Sequence, residues 1–153
     1  MRPGVRLGID VGTVRIGVAI SDPHGLLATP LQTLDRSDSS WLDIIQSLCN
    51  EHNIIEILVG LPLSLSGTST SSTQDAVSVA NELQLNVSCP IRLIDERYTT
   101  TSAHATMKSL GKKQKNTRTF IDQVAAVSIL QHGLDMERNL NRPPGIDITE
   151  FSD

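Results

Sequence analysis

Three acidic residues, far apart along the chain, occupy positions from which their carboxylates could meet at one metal site. Asp10 lies inside an apolar run with strand-like alternation, Glu96 follows a second apolar run, and Asp122 falls in the first turn of a helical pattern. Clustered carboxylates repel one another unless a cation neutralises them, so convergence predicts bound Mg²⁺ or Mn²⁺. Two such ions about 4 Å apart activate a water and stabilise a leaving oxygen. The three acids therefore predict metal-dependent hydrolysis of a phosphodiester.

Each acid also has an ordinary structural interpretation. Asp10 fits an edge-strand acid beside turn glycines, and Glu96 fits a solvated acid that precedes a helix. Asp122 lies three residues after Thr119, where an acid complements the helix dipole and imitates a capping box. The catalytic interpretation therefore depends on the fold bringing the three acids together.

The strand face that carries Asp10 looks bare. Because side chains alternate across a strand, Leu7 and Ile9 share one face while Gly8, Asp10 and Gly12 share the other. Glycines on either side of an acid leave the backbone open to close approach. We therefore expect these two glycines to provide clearance for a metal ion or a phosphate.

The elements that must position these acids follow from hydrophobic periodicity and turn signals. The order predicts an α/β fold with a five-stranded mixed sheet: an antiparallel three-stranded meander, then parallel strands, with helices on both faces. It predicts one domain over residues 1–138 and a loosely ordered C-terminal tail over 139–153. The predicted strands cover 5–11, 15–21, 25–34, 54–60 and 91–95, and the predicted helices cover 41–52, 69–83, 100–110 and a last helix from near Thr119.

The basic residues are concentrated in one part of the chain. The net charge is −4, yet residues 97–121 contain six bases and no acid, which leaves −10 on the remainder. This segregation favours a face built for an anion such as a nucleic-acid backbone, although a solvated loop would also explain it. The predicted nucleic-acid-binding residues are Arg15, Arg97, Lys112, Lys113, Lys115 and Arg118.

Cysteine usage and hydropathy indicate the compartment. Cys49 and Cys89 match no metal or disulfide spacing and resemble small apolar residues of a reduced protein. No apolar run approaches the length of a membrane span, and residues 1–4 lead into a strand without a signal-peptide core. We therefore expect a cytoplasmic protein with no membrane partner.

Four stretches match a known family in its order. They are Gly8-Ile9-Asp10-Val11-Gly12 with residues 15–22, residues 59–63 with 67–68, Asp95-Glu96-Arg97 with 99–100, and Asp122 with 125–126 and 129–131. On these residues the chain resembles the YqgF/RuvX family, a branch of the RNase H-like and RuvC-like nucleases. The match covers nearly all of residues 7–131. Tyr98 and the loop over 66–72 depart from the family pattern, which affects substrate contacts more than the acids.

The resemblance implies an RNase H-like fold in which Asp10, Glu96 and Asp122 occupy the family's acidic positions. It also implies a role in maturing the 5′ end of pre-16S ribosomal RNA, with ribosomal particles as partners of a monomer or weak dimer. The family was earlier described as Holliday-junction resolvases, so cleavage of branched DNA is the alternative. A resolvase cuts two strands symmetrically and would act as a twofold dimer.

Two other classes remain open on the sequence. Residues 8–13 look like the phosphate loop of sugar kinases and actin-like ATPases, which share the core fold but close two such domains around a nucleotide. The chain has length for one such domain. A catalytically idle, RNA-binding module is the remaining alternative, and its RNA binding would survive substitution of all three acids.

Overall fold

The computed structural model describes residues 1–98 and 117–151 as an α/β protein with one mixed sheet. The sheet has six strands rather than the predicted five, because a short strand near the C-terminus adds to one edge. The elements are β1 Arg6–Val11, β2 Arg15–Ser21, β3 Ala28–Asp35, α1 Trp41–His52, β4 Glu56–Leu61, α2 Ser71–Asn86, β5 Ile91–Asp95, a 3-10 turn Glu96–Tyr98, α3 Thr117–Leu140, β6 Ile146–Asp147 and a second 3-10 turn Ile148–Glu150.

The sheet has the strand order β3-β2-β1-β4-β5-β6. The first three strands form the predicted antiparallel meander, and β4 and β5 then pair in parallel with β1 and with each other. β1 lies at the centre, between β2 and β4, so Asp10 stands on an inner strand rather than at an edge. The carboxyl ends of β1, β4 and β5 meet at one end of the sheet.

Helices cover both faces of the sheet, as the sequence predicted. On one face, α1 and α2 pack over a core that contains Leu7, Ile9 and the buried free thiols of Cys49 and Cys89. On the other face α3 packs across the meander through Ala126, Ile129 and Leu130, each at most 1% exposed. The alternation of side chains along β1 therefore sends Asp10 to the α3 face.

Polar contacts set where several elements begin and end. Asn53 ends α1 in the left-handed conformation, with φ of 51°. Thr70 begins α2 in a reciprocal capping box with Thr73, whose hydroxyl also donates to Pro62 O in the loop after β4. β3 begins at Ala28, later than predicted, because Asp22 Oδ1 accepts the backbone N–H groups of residues 26 and 27 and holds them in a turn.

The segment after residue 143 corrects the expectation of a loosely ordered tail. β6 pairs antiparallel with β5, and Arg92 Nη2 donates to Gly145 O at 2.9 Å. Ile148 is only 4% exposed and joins the core beneath α2. This segment is held by an edge strand and by one buried side chain, neither of which leaves a periodic pattern in the sequence.

Some predictions fall outside the residues that the structure describes. The helix predicted over 100–110 lies there, as does most of the basic segment. Within the described ranges, no helix combines the length and the apolar character needed to cross a membrane.

Candidate metal-binding active site

Asp10 sits beneath the start of α3, beside a glycine on the neighbouring strand. Asp10 pairs in register with Gly17 on β2, and a Cβ on Gly17 would overlap the backbone oxygen of Asp122. A side chain at position 17 would thus push the first described turns of α3 away from the sheet. Gly17 therefore permits the approach that brings the third predicted acid towards Asp10.

A second glycine, on the strand on the other side of β1, makes room for Glu96. The β1–β4 register pairs Ile9 with Val59, which places Gly60 one residue further, level with Asp10. A Cβ on Gly60 would overlap Glu96 Oε1. The carboxylate of Glu96 therefore folds back from the 3-10 turn after β5 and lies over bare backbone of β4.

The protonation of two acids reflects their proximity. Burial, together with the charge of Asp122, raises the pKa of Asp10 to about 6. Burial, and then the charges of Asp10 and Asp95, raise the pKa of Glu96 to about 7. Both carboxylates are therefore destabilised as anions, which is the result expected where like charges meet in a partly dry site.

Asp122 is engaged differently from Asp10. Arg15 Nε, at the start of β2, donates to Asp122 Oδ2 at 2.6 Å. In contrast, no residue in the described ranges forms an ion pair or a hydrogen bond with the Asp10 side chain, although Arg15 lies only five residues away along the chain. Among the residues that the structure describes, no three His, Cys, Asp or Glu side chains form a group tight enough to hold a metal. The three acids are brought to one end of the sheet without forming a closed ligand set.

The donor set at this end of the sheet fits a hard divalent cation. Mg²⁺ and Mn²⁺ favour carboxylate oxygens, and Asp10 and Glu96 supply them from a face kept open by Gly17 and Gly60. A cation here would offset the burial and the like-charge repulsion that raise both pKa values. Asp122 offers a third carboxylate, whose Oδ2 is bound by Arg15.

The glycines on Asp10's own strand have roles other than the predicted ones. A Cβ on Gly8 would lie 2.6 Å from Leu130 Cβ, so Gly8 gives clearance to α3. A Cβ on Gly12 would lie 2.6 Å from Arg15 O, so Gly12 serves the β1–β2 turn. The clearance at the acids comes instead from glycines on the two neighbouring strands, which the alternation along one strand cannot reveal.

Arg36 fixes the turn that carries Arg15, a role the sequence did not suggest. Its Nη1 donates to Gly12 O at 2.9 Å, and its guanidinium forms a bidentate pair with Asp75 of α2 at 2.7 and 2.9 Å. Its backbone N–H donates to Val14 O at 3.0 Å. Arg36 therefore ties the β1–β2 turn to α2 and limits where the Arg15 side chain can reach.

The predicted nucleic-acid contacts divide into described and undescribed residues. Arg97 lies beside the site, but its guanidinium binds Asp95, with Nη2–Oδ2 at 2.6 Å, and these hydrogen bonds lower the pKa of Asp95. Arg118 belongs to the first turn of α3. Lys112, Lys113 and Lys115 lie outside the described residues. A nucleic-acid surface built from these bases remains a prediction.

The fold is RNase H-like and resembles that of RuvC. T. thermophilus RuvC in complex with a Holliday junction substrate superposes with a TM-score of 0.63 at 13% identity, over 92% of this chain and 99% of that one. A second T. thermophilus RuvC structure gives 0.56 at 12% identity, over 92% and 98%. At this level of identity the likeness concerns the fold.

The family is established by sequence. The chain belongs to the RuvX family, described as Holliday junction resolvase, whose model matches residues 4–136. It is 55% identical to a "Putative pre-16S rRNA nuclease" of Leifsonia xyli subsp. xyli (strain CTCB07), over 95% of this chain and 94% of that one. It is 52% identical to a protein of the same name from Mycobacterium ulcerans (strain Agy99), over 90% and 82%. Fold and family together indicate a phosphodiester hydrolase that acts on nucleic acid.

Proposed function

We propose that the protein is a divalent-metal-dependent nuclease that processes the 5′ end of pre-16S ribosomal RNA in the cytoplasm. Asp10, Glu96 and Asp122 would hold Mg²⁺ or Mn²⁺. The observation that carries this proposal is the placement of Asp10 and Glu96 beside bare backbone at one end of the sheet, where burial and the charges of neighbouring acids raise both pKa values. A bound divalent cation would neutralise these carboxylates and so account for acids kept in a partly buried site. The names of the close relatives favour the RNA substrate.

Each acid of the site has a separate role in the proposed reaction. A bound divalent cation would activate a water and stabilise the leaving oxygen of the phosphodiester. Asp10, on the central strand β1, would anchor the site. Glu96, with a pKa of about 7, is partly protonated at neutral pH and must lose its proton to act as a ligand. Asp122 would complete the set from α3.

We assign substrate binding to the basic residues that the sequence singled out. Lys112, Lys113, Lys115 and Arg118 would contact phosphates, with Arg15 and Arg97 closer to the acids. Phosphate contacts position a nucleic acid but carry little sequence information, so the shape of the precursor would supply specificity. A ribosomal precursor particle, with a folded RNA surface, is the form of substrate that this arrangement suits.

The test is cleavage of a pre-16S precursor RNA with Mg²⁺ or Mn²⁺ by purified variants. Asp10→Asn and Asp122→Asn should each lower the rate roughly 1,000-fold, because metal-ion stabilisation is worth several kcal/mol. Asp135→Asn is the matched control, since Asp135 is an exposed acid on the same helix whose described partners are Arg138 and Gln131. The proposal is contradicted if Asp10→Asn and Asp122→Asn both still cleave the RNA. If the wild type binds the RNA but does not cleave it, the protein is instead an idle RNA-binding module.

Holliday-junction resolution is the second candidate, favoured by the description of the family. A resolvase would need two copies of this site related by a twofold axis. Four-way DNA and precursor RNA, offered to the same preparation at matched salt, separate the two substrates, and the mass in solution separates monomer from dimer. Paired nicks in the DNA by a dimer would decide for resolution.

A further inference from the structure

The ion pair between Arg15 and Asp122 joins residues from opposite parts of the chain. Nε and Oδ2 are 2.6 Å apart, and the side chains are 29% and 15% exposed. Arg15 stands at the start of β2, and its backbone oxygen accepts the Gly12 N–H at 2.9 Å. Its backbone is therefore fixed, while its long side chain retains access to solvent and can change direction.

The distribution of charge at the site is uneven. Asp122 has a charge-assisted hydrogen bond, whereas Asp10 forms no ion pair with any residue in the described ranges. Among the described residues, the arginine therefore compensates Asp122 and not Asp10. The ion pair partly offsets one of the two neighbouring negative charges when no metal is bound, and the charge of Asp122 still contributes to the raised pKa of Asp10.

We propose that Arg15 is an exchangeable counter-charge: its guanidinium holds Asp122 in the metal-free protein, yields that carboxylate to the divalent cation, and then binds a phosphate of the nucleic acid. This rests on the proposed nuclease function and adds a second role to a residue predicted only as a substrate contact. Metal loading and substrate binding are thereby coupled through one side chain.

The exchange follows from competition for the same oxygen. A guanidinium and a divalent cation compete for the negative charge of Asp122 Oδ2, so each lowers the affinity of the other for it. Once displaced, the planar fork of the guanidinium matches a phosphate, which is the other anion that arginine binds bidentately. The Arg36 contact to Gly12 O keeps the turn in place during the exchange, so that only the side chain needs to move.

The first test measures Mn²⁺ affinity by calorimetry on the full chain without nucleic acid. Arg15→Gln removes the competitor and should tighten Mn²⁺ binding about tenfold, the scale of one charge-assisted pair. Arg138→Gln is the matched control, because it removes the same charge from an exposed pair about 24 Å along α3 from Asp122. Weaker or unchanged Mn²⁺ binding in Arg15→Gln, with thermal unfolding intact, would overturn the proposal.

A double-mutant cycle separates exchange from simple long-range repulsion between the arginine and the cation. In an Asp122→Asn background, Arg15→Gln should no longer change Mn²⁺ affinity, because the pair that competes with the metal is already absent. If the tightening persists in that background, Arg15 repels the metal without exchanging, and the proposal is wrong. Arg15→Lys, which keeps the charge, covers the case in which Arg15→Gln does not fold and should stay within about twofold of the wild type.

The second test measures affinity for a short precursor RNA by fluorescence anisotropy. With Ca²⁺ in place of Mg²⁺, Arg15→Gln should weaken RNA binding about fivefold. In EDTA the same substitution should change RNA binding less than about twofold, because the Arg15 guanidinium is then paired with Asp122 and does not contact the RNA. Equal losses under both conditions overturn the exchange. The proposed function fails separately, if the wild type binds no Mn²⁺ or if Asp10→Asn binds it as well as the wild type does.

Discussion

The two ends of the central strands carry charge in opposite ways. At the start of β1 and β4, Arg6, Glu56 and Glu137 are each at most 2% exposed, and they form one cluster with Arg2. At the carboxyl ends of the same strands, Asp10, Glu96 and Asp122 share the α3 face, and the described part of the chain supplies Arg15 as the ion-pair partner of one of them.

The first cluster, Arg2–Arg6–Glu56–Glu137, balances two bases against two acids. Arg2 Nη2 binds both carboxylates, at 3.0 Å to Glu56 Oε1 and 2.6 Å to Glu137 Oε1. Burial raises the pKa of Glu137, but the contacts of Arg2 and Arg6 outweigh it and keep that pKa below its usual value. Glu56, where burial outweighs Arg2, has a raised pKa. The two positive charges of this cluster are therefore matched by two negative ones.

Among the described residues, the carboxylate end has one ion pair, between Arg15 and Asp122, and the pKa values of Asp10 and Glu96 are raised there. A buried, paired charge is costly to break, whereas an acid that is buried among like charges is costly to keep ionised. Substitutions should therefore act in opposite directions at the two ends. At the balanced end they should destabilise the protein, and at the acidic end they should stabilise the metal-free protein while removing function.

The largest effect is expected at the balanced end. Glu137→Gln removes the acid that accepts from Arg2 and from Arg6, leaving Arg6 buried with less compensation, and should lower the free energy of unfolding by about 3–5 kcal/mol. Chemical denaturation at pH 7 measures this. A loss no greater than that of an exposed substitution would show that the cluster is not structural.

The next effect tests the clearance over β4. Gly60→Ala places a Cβ on Glu96 Oε1 and should lower cleavage about 100-fold, equivalent to about 2.7 kcal/mol, by displacing that carboxylate. Gly8→Ala is the matched control, because its Cβ would contact α3 at Leu130 and Ala126 without meeting Glu96. It should lower stability but leave Mn²⁺ affinity of the folded protein intact. Equal loss of Mn²⁺ affinity in Gly60→Ala and Gly8→Ala would contradict a specific role for Gly60 in making room for Glu96.

A smaller and opposite effect is expected for Asp10→Asn without metal. Because the folded-state pKa of Asp10 is raised from 3.8 to about 6, the native state holds its proton more tightly than the unfolded state, and stability falls as pH rises through that range. Asp10→Asn should therefore be more stable than the wild type at pH 8 by about 1–2 kcal/mol, and equal to it below about pH 4.

The measurement for Asp10→Asn is thermal unfolding in EDTA across pH 4–8, where the gain corresponds to ~3–6 °C at pH 8. Saturating Mg²⁺ should reverse the order, because only the wild type would gain stability from binding. A variant less stable than the wild type at pH 8 in EDTA would mean that the acids are compensated after all.

The smallest effect sets the scale for an exposed charge. Arg138→Gln breaks a pair with Asp135 whose side chains are 41% and 48% exposed, together with one contact to Gly25 O. Exposed ion pairs contribute about 0–1 kcal/mol, so denaturation should detect a loss within that range and no change in cleavage. A loss comparable to that of Glu137→Gln would remove the contrast between buried and exposed pairs.

The candidate acids could be read from the sequence because local rules govern them. Alternation along β1 placed Asp10 opposite Leu7 and Ile9, and the carboxyl end of the short strand over 91–95 placed Glu96 where ligands bind in α/β sheets. The parallel strands and the helices followed from periodicity in the same way. The register between neighbouring strands could not be derived from periodicity. The sequence therefore did not identify Gly17 and Gly60 as the residues that leave room for Asp122 and Glu96.

The sequence alone determined the order of most elements, since periodicity depends on neighbours a few residues away, and its motifs gave the RNase H-like fold through a family resemblance. The assignment of the three acids to one metal site stays a prediction. Only the tertiary structure decided that Arg15 binds Asp122, 107 residues along the chain, and that residues 144–151 close the β5 edge. The reason is physical: ion pairs and edge strands depend on distances between segments, which a pattern along one segment does not encode.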